Sequence, residues 1–544
     1  MRYLSENKRE DMRMKKRTAA RSMAALMGAA MVLTACGGGN TTAPTTGASS
    51  GGETQTASES AESGKITKTD IVVGQASDIV TLDPAGQQDT TSGVLMKHAY
   101  STLLDVDNEG KVVPDLAESY EMKSDTEYVF KLREDACFWD GTPVTAQDVK
   151  FSLDRAKGMP KTKSNTSKIE EVTVNGDHEV TIKLTEPYAA FKTIVTQHNL
   201  SILSEKAVTE AGDSYGDVDN LLGSGPFKVT EWVPNDHYTL VRNDNYWGEM
   251  PIATSITCRV IPEGSARTIA LEAGEIDVVW SVDPTDCANV ESNPDVKLLS
   301  QPSTGIDYVG MNTQKEKFSD KRVRQAINYA LDKQAFVDTI IEGRGLVANS
   351  YINAAIPGWT DEVEAYPYDP EKAKELLAEA GYPDGFECSI FVNGDLRTRS
   401  AQILQAQLAD VGIKVDISTY EWGALLDTLN AGEHEMFLLG WSNTSFDPDG
   451  STYQLFYSGN HGATGNRAFF SHDKVDELIL SAQRESEESK RMELYKELQF
   501  VLHEESPWCP LYYKENNVGV RADLKGFTLH AGAQHYLGNC HYEE

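Results

Sequence analysis

The residues able to do covalent or metal chemistry in this 544-residue chain are few and poorly placed for it. His503-Glu504-Glu505 starts as the helix of a zinc protease starts, but the second histidine of the ligand pair is missing, and His434-Glu435 stands alone. "SFDPDG" (445–450) imitates the front of a calcium loop, with Gly450 in the glycine place, yet the position that needs a bidentate glutamate is Phe456. "GSGPFK" (223–228) has neither the spacing nor the Lys-Ser/Thr ending of a phosphate loop, and no G-x-S-x-G elbow presents a nucleophile. Cys36 apart, the cysteines are Cys137, Cys258, Cys287, Cys388, Cys509 and Cys540, spaced too widely for a zinc site and open to either disulfides or buried thiols. Nothing singles out a pair of acids. A chain of this length that did catalysis should show a nucleophile with its base, a metal cluster or a phosphate cradle. No catalytic residue, metal or cofactor is therefore assigned, and the chain reads as a non-enzyme.

The remaining chemistry is recognition. Aromatic rings stand beside hydrogen-bonding groups in "FWDGTP" (138–143), "NDNYWG" (243–248), "TYEWG" (419–423) and "LGWSNTSFDPDG" (439–450). The first two read as turns with a ring packed beneath them. The last reads as the wall of a binding cleft: Leu438, Leu439 and Trp441 end an apolar strand, and Asn443, Thr444 and Asp447 follow at its carboxyl end, where α/β sheets bind ligands. Tyr420 and Trp422 belong to the same set of candidate contacts.

Alternating strands and amphipathic helices must position these residues. "DIVVG" (70–74), "TEYVFKLR" (126–133) and "HEVTIKL" (178–184) have the β-branched alternation of strands. Residues 369–381 carry a cap at Asp369, proline in the first turn, an apolar stripe at Ala373, Leu376, Leu377 and Ala380, and a stop at Gly381, which predicts a helix. Residues 399–419 read as a helix ending at Gly412 and then a strand through Ile413, Val415 and Ile417. Residues 322–341, 473–483 and 491–505 add further helical stripes. Helices feeding strands in this way make an α/β fold, and the length asks for at least two lobes.

At the other end of the chain, "AALMGAAMVLTA" (24–35) is a greasy run too short to span a bilayer, preceded by Lys15, Lys16, Arg17 and Arg21. That is an export signal. Leu33-Thr34-Ala35-Cys36 resembles the lipobox of bacterial lipoproteins, which implies cleavage before Cys36 and lipidation of its thiol. Residues 36–65, rich in Gly, Ser, Thr and Ala, then read as a disordered tether. A formal charge of −33 argues against nucleic acid as a partner.

The order of several stretches is specific: "PDLAESYE" (114–121), "VFKLREDACFWDGTPVTAQDVKFSLDR" (129–155), "GSGPFKV" (223–229), "NYWG" (245–248), "LEAGEIDVV" (271–279), "GMNTQKEKFSDKRVRQAINYALDK" (310–333), "YDPEKAKELLAEAGYPDGFE" (368–387), "LADVGIKVDI" (408–417) and "ELYKELQFVLHEESPWCPLYY" (493–513). From about Thr69 to Asn517 the chain resembles the extracellular solute-binding proteins of bacterial ABC importers, family 5, which bind peptides, oligopeptides and nickel. The resemblance implies a two-lobed clamp of the periplasmic-binding-protein type II kind with an α+β subdomain inserted in the first lobe. Mapped here, residues 1–35 are the signal peptide and 36–65 the tether. Lobe one is 66–110 with 221–308 and 514–544, the insert is 111–220, and lobe two is 309–513. The chain is expected to cross between lobes near Tyr308–Gly310 and Tyr512–Lys514, and Tyr308 joins the expected ligand contacts. Closure would trap solute between lobes for delivery to permease and ATPase subunits. The expected protein is a monomer held by the lipid on Cys36, at the outer face of the cytoplasmic membrane or in the periplasm.

One loop departs from the family. Its peptide binders typically show G-W-x-x-D-x-x-D/E-P, in which the central aspartate meets the peptide's ammonium. Gly440, Trp441, Asp447 and Pro448 match, but the central residue is Thr444, and Leu438 and Leu439 stand where some members carry an arginine for the carboxylate. A neutral partner holds an ammonium about half as strongly. This points away from free-ended dipeptides and tripeptides. Peptides gripped along their main chain, oligosaccharides stacked on Trp441, Trp422 and Tyr420, and a metal chelate stay open as ligands, with peptide favoured by the family. A surface sensor or an exported hydrolase are the rival classes.

Overall fold

Alternation of β-branched and aromatic residues builds one long sheet. The structure, a computed structural model, describes residues 65–544, so the signal peptide, Cys36 and nearly all of the tether lie outside the described residues. The sheet has eleven strands, ordered from one edge Lys414–Thr419, Glu387–Val392, Met436–Ser442, Val296–Met311, Trp508–Arg521, Val278–Val279, Asp70–Gln75, Ser255–Val260, His237–Arg242 and Phe227–Val233, with Gly345–Val347 attached to Trp508–Arg521. A second sheet of four antiparallel strands, Ala117–Ser124, Glu127–Leu132, Glu179–Leu184 and Ile169–Gly176, has its own core around Phe130, Ile182 and Phe191. The fold is the mixed α/β expected from the sequence.

Two long strands join the halves of the large sheet. Residues 296–302 of Val296–Met311 lie beside 515–521, whose other neighbour is Val278–Val279; residues 306–311 lie between 508–513 and Met436–Ser442. The ladder slips between Pro302 and Ile306, where Ser303 Oγ donates to the Lys514 carbonyl at 2.7 Å and accepts from Gly305 N at 3.0 Å. The passage from one half to the other is made at this break, a few residues before Tyr308.

The helices follow their caps. Pro370–Glu379 starts at Asp369, whose carboxylate accepts from Lys372 N at 2.9 Å, and buries Ala373, Leu376 and Leu377. The stripe over 322–341 is two helices, Lys321–Ala330 and Lys333–Thr339, because Asp332 caps the second by accepting from Ala335 N. All six described cysteines are free thiols, five of them buried. The "FWDGTP" turn packs as read: Gly141 has φ +84°, and Trp139 is buried with its indole N–H on the Gly225 carbonyl.

Candidate functional site

A cavity of about 400 Å³ lies between the two halves of the sheet. On one side stand Asp89, at the start of the helix Thr90–Ala99, and Trp280, stacked on His535 with ring centroids 5.3 Å apart. On the other stand Trp441 and Thr444, Trp422 at the start of Trp422–Asn430, Arg397 on Gly394–Ala409, and Arg467. Contacts across the cleft hold the halves together. Arg399 donates to both oxygens of Asp283 at 2.8 and 2.9 Å, Arg344 to Glu291 at 2.7 Å, and the Thr444 hydroxyl to Gln197 Oε1 at 2.8 Å.

The loop after Met436–Ser442 is shaped by its own polar residues. Trp441 lines the cavity, and its indole N–H donates to the Gly450 carbonyl at 3.0 Å, which fixes the ring. Asn443 is a folding residue: its amide donates to the Asp447 carbonyl and to Ser451 Oγ, both at 2.7 Å, and its carbonyl accepts from Ser445. Asp447 forms a buried bidentate pair with Arg491 at 2.5 and 2.8 Å. Behind it, burial pushes the Asp449 carboxyl up to about 6, while Tyr188, from the core of the four-stranded sheet, donates to it at 2.6 Å.

Of the seven residues expected to touch ligand, Trp441, Trp422 and Thr444 face the cavity. Asn443 and Asp447 stand behind it and shape the loop. Tyr420 packs on Phe391 at 4.9 Å instead of lining the cavity. Tyr308 is corrected: it is 2% exposed and stacks on Trp508 with centroids 3.4 Å apart, because Ile306 and Tyr308 both point into the core that holds Phe437, Phe456 and Trp508. Sequence reasoning missed Asp89, Arg397 and Arg467. Asp89 caps one helix and Arg397 lies on another, and neither role gives a separate signal for the cleft.

A model of the family described as bacterial extracellular solute-binding proteins, family 5, matches residues 111–463. The chain belongs to this family. It is 32% identical over 479 residues to the glutathione-binding protein GsiB of Shigella boydii, covering 85% of this chain and 92% of that one. It is 30% identical over 470 residues to the dipeptide-binding protein of Escherichia coli, covering 80% and 86%. The solved Helicobacter pylori periplasmic binding protein DppA, in complex with the peptide STSA, superposes with a TM-score of 0.84 at 28% identity over 88% of this chain and 99% of that one. Family 5 proteins are solute binders of ABC importers and not enzymes, so the chemistry of the cavity is recognition. No helix among the described residues is long and apolar enough to cross a membrane.

Proposed function

We propose that this protein captures short peptides between its lobes and hands them to an ABC permease while anchored by a lipid on Cys36. The observation that carries the peptide reading is the set of groups around the cavity that have no hydrogen-bond partner in the protein. Donors (Trp280 Nε1, Trp422 Nε1, Arg397 Nε) and acceptors (Gln88 Oε1, Gln534 Oε1) come from both lobes. A peptide offers N–H and C=O groups in alternation, and buried polar groups need partners. The volume is that of a small-ligand pocket. The three relatives named above bind glutathione, dipeptides and a tetrapeptide. The oligosaccharide reading loses support, since Tyr420 is outside the cavity and the Arg397 guanidinium already covers the Trp422 ring at 5.9 Å. Sequence supports the anchor through the basic flank, short apolar run and Cys36.

The test is calorimetry of the purified chain against dipeptides, tripeptides, glutathione and maltotriose, with mass spectrometry of any molecule released on denaturation. Peptide binding with no sugar binding is expected; the reverse overturns the reading. For the anchor, Cys36→Ala expressed in a bacterium should move the protein from the membrane pellet to the soluble fraction, and its retention in the pellet would remove the lipid from the account.

A further inference from the structure

Four arginines of the described chain are less than a tenth exposed: Arg267, Arg324, Arg467 and Arg491. Three have their terminal nitrogens bonded inside the protein, although the Nε of Arg267 and of Arg491 has no partner. Arg267 donates to the carbonyls of Ile261, Pro262 and Ser281, Arg324 to those of Glu505, Phe318 and Ser319, and Arg491 to Asp447. Arg467 differs. Its Nε donates to Asn430 Oδ1 at 3.0 Å, and among the described residues its two terminal nitrogens meet no acceptor and no carboxylate pairs with it. It is 6% exposed and lines the cavity. Its terminal nitrogens are thus left without a bonded acceptor at the cavity wall, and a solute in the cavity can supply one.

A carboxyl group faces the same space from the other lobe, with burial holding its pKa above the usual carboxylate value. Asp89 caps Thr90–Ala99 with Oδ1, which accepts from Ser92 N at 2.9 Å, while Oδ2 is shut off from solvent and has no partner. Asp89 and Arg467 lie close enough to attract each other without closing an ion pair. The Lys161 ammonium and the Trp422 indole N–H also lie near the Asp89 carboxylate. The Thr444 hydroxyl, the residue in the family's usual ammonium place, is already committed to Gln197.

We propose that Arg467 holds a carboxylate of the solute and Asp89 its ammonium, so that the solute is a short zwitterion with both ends free. This rests on the peptide reading of the cavity and restores free-ended peptides, which the Thr444 departure had argued against. The carboxylate has moved from the lobe-two loop to a helix cap on lobe one, and a ligand bridging the two charges would draw the lobes together.

The experiment uses the full chain in detergent, with alanyl-alanine, trialanine and glutathione as probes and the C-terminal amide and N-acetyl form of each one that binds. Against the wild type, the amide should bind about ten- to a hundredfold more weakly than the free acid, as expected for a charge-assisted hydrogen bond. Arg467→Gln should lose a similar factor on the free acid and lose its discrimination between acid and amide. Arg467→Lys should keep part of that discrimination. Asp89→Asn should do the same for the N-acetyl form. The acid-to-amide ratio is read within one preparation, so partial misfolding of a variant does not move it. If peptides bind but Arg467→Gln keeps the wild-type ratio, or the wild type binds blocked and free forms equally, this proposal falls and the peptide reading stands. If no peptide binds the wild type, both fall.

Discussion

Two aromatic residues separate what a side chain does for the fold from what it does for the ligand. Tyr308 lies in the core against Trp508, whereas Trp422 faces the cavity with an indole N–H that has no partner. Tyr308→Ala removes a fully buried ring and should cost about 3–5 kcal/mol of stability, seen as a large drop in the denaturation midpoint. At temperatures where the variant is folded, its peptide affinity should stay near wild type. Trp422→Phe should do the opposite, leaving the midpoint in place while affinity falls about two- to tenfold with the loss of one hydrogen bond. A Tyr308→Ala protein that is stable but cannot bind would return Tyr308 to the site. The comparison shows what was legible at this scale. Trp441 and Trp422 announce themselves as large rings beside polar loops. Nothing local distinguishes Arg467, in "GNRAFF" (465–470), from a surface arginine, because its one bond, to Asn430, and its place in the cavity wall are made by residues distant in sequence.

The elements were more legible than the residues because their signals are local. The cap and stripe of Pro370–Glu379 and the alternation in Lys414–Thr419 are each contained within a few turns of chain. What was not legible is how strands from distant parts of the sequence share one sheet, and hence the register break at Pro302–Ile306 and the pairs that bind the lobes. One of these pairs, Arg399 with Asp283, joins Gly394–Ala409 to the segment that follows Val278–Val279. Arg399 is partly exposed, so the pair is worth at most about 1 kcal/mol after solvent screening. Arg399→Ala should therefore leave thermal stability almost unchanged and weaken peptide binding by less than about fivefold, through faster dissociation. The wild-type advantage should shrink in high salt. Stopped-flow measurement of dissociation at low and high ionic strength checks this. An unchanged dissociation rate would show that the pair does not help to hold the closed form.

For the whole molecule, acid should act first on its histidines. Burial holds His98, His434, His503 and His530 down to about 4 and His198 and His535 down to about 3, from an ordinary 6.5. Several of these rings serve as acceptors. His98 Nε2 accepts from Leu537 N at 3.0 Å, His535 Nδ1 from His530 N at 3.1 Å, and His530 Nδ1 from Gly532 N at 3.1 Å, so protonation would undo bonds that fix residues 530–537 beside the cavity. Below pH 6.5 the unfolded chain takes up protons that the folded chain refuses. The stability these histidines contribute is thus present above 6.5 and is lost as pH falls toward 4 and 3. Asp115 and Asp449 have the opposite sign. Burial raises them to about 7 and about 6, so the folded state binds their protons before the unfolded state does, and they add stability as pH falls from 7 toward 4. Each group contributes a slope of at most about 1.4 kcal/mol per pH unit, and six histidines outweigh these two carboxyls together with Asp89 and Asp286, which burial also raises, over the range where both kinds act. Scanning calorimetry should therefore show a melting temperature that is flat near pH 7 and falls steadily from pH 6 to pH 4.5. A melting temperature that rose over that interval would mean that the histidines are protonated in the folded protein, and that the segment 530–537 is not held through neutral rings.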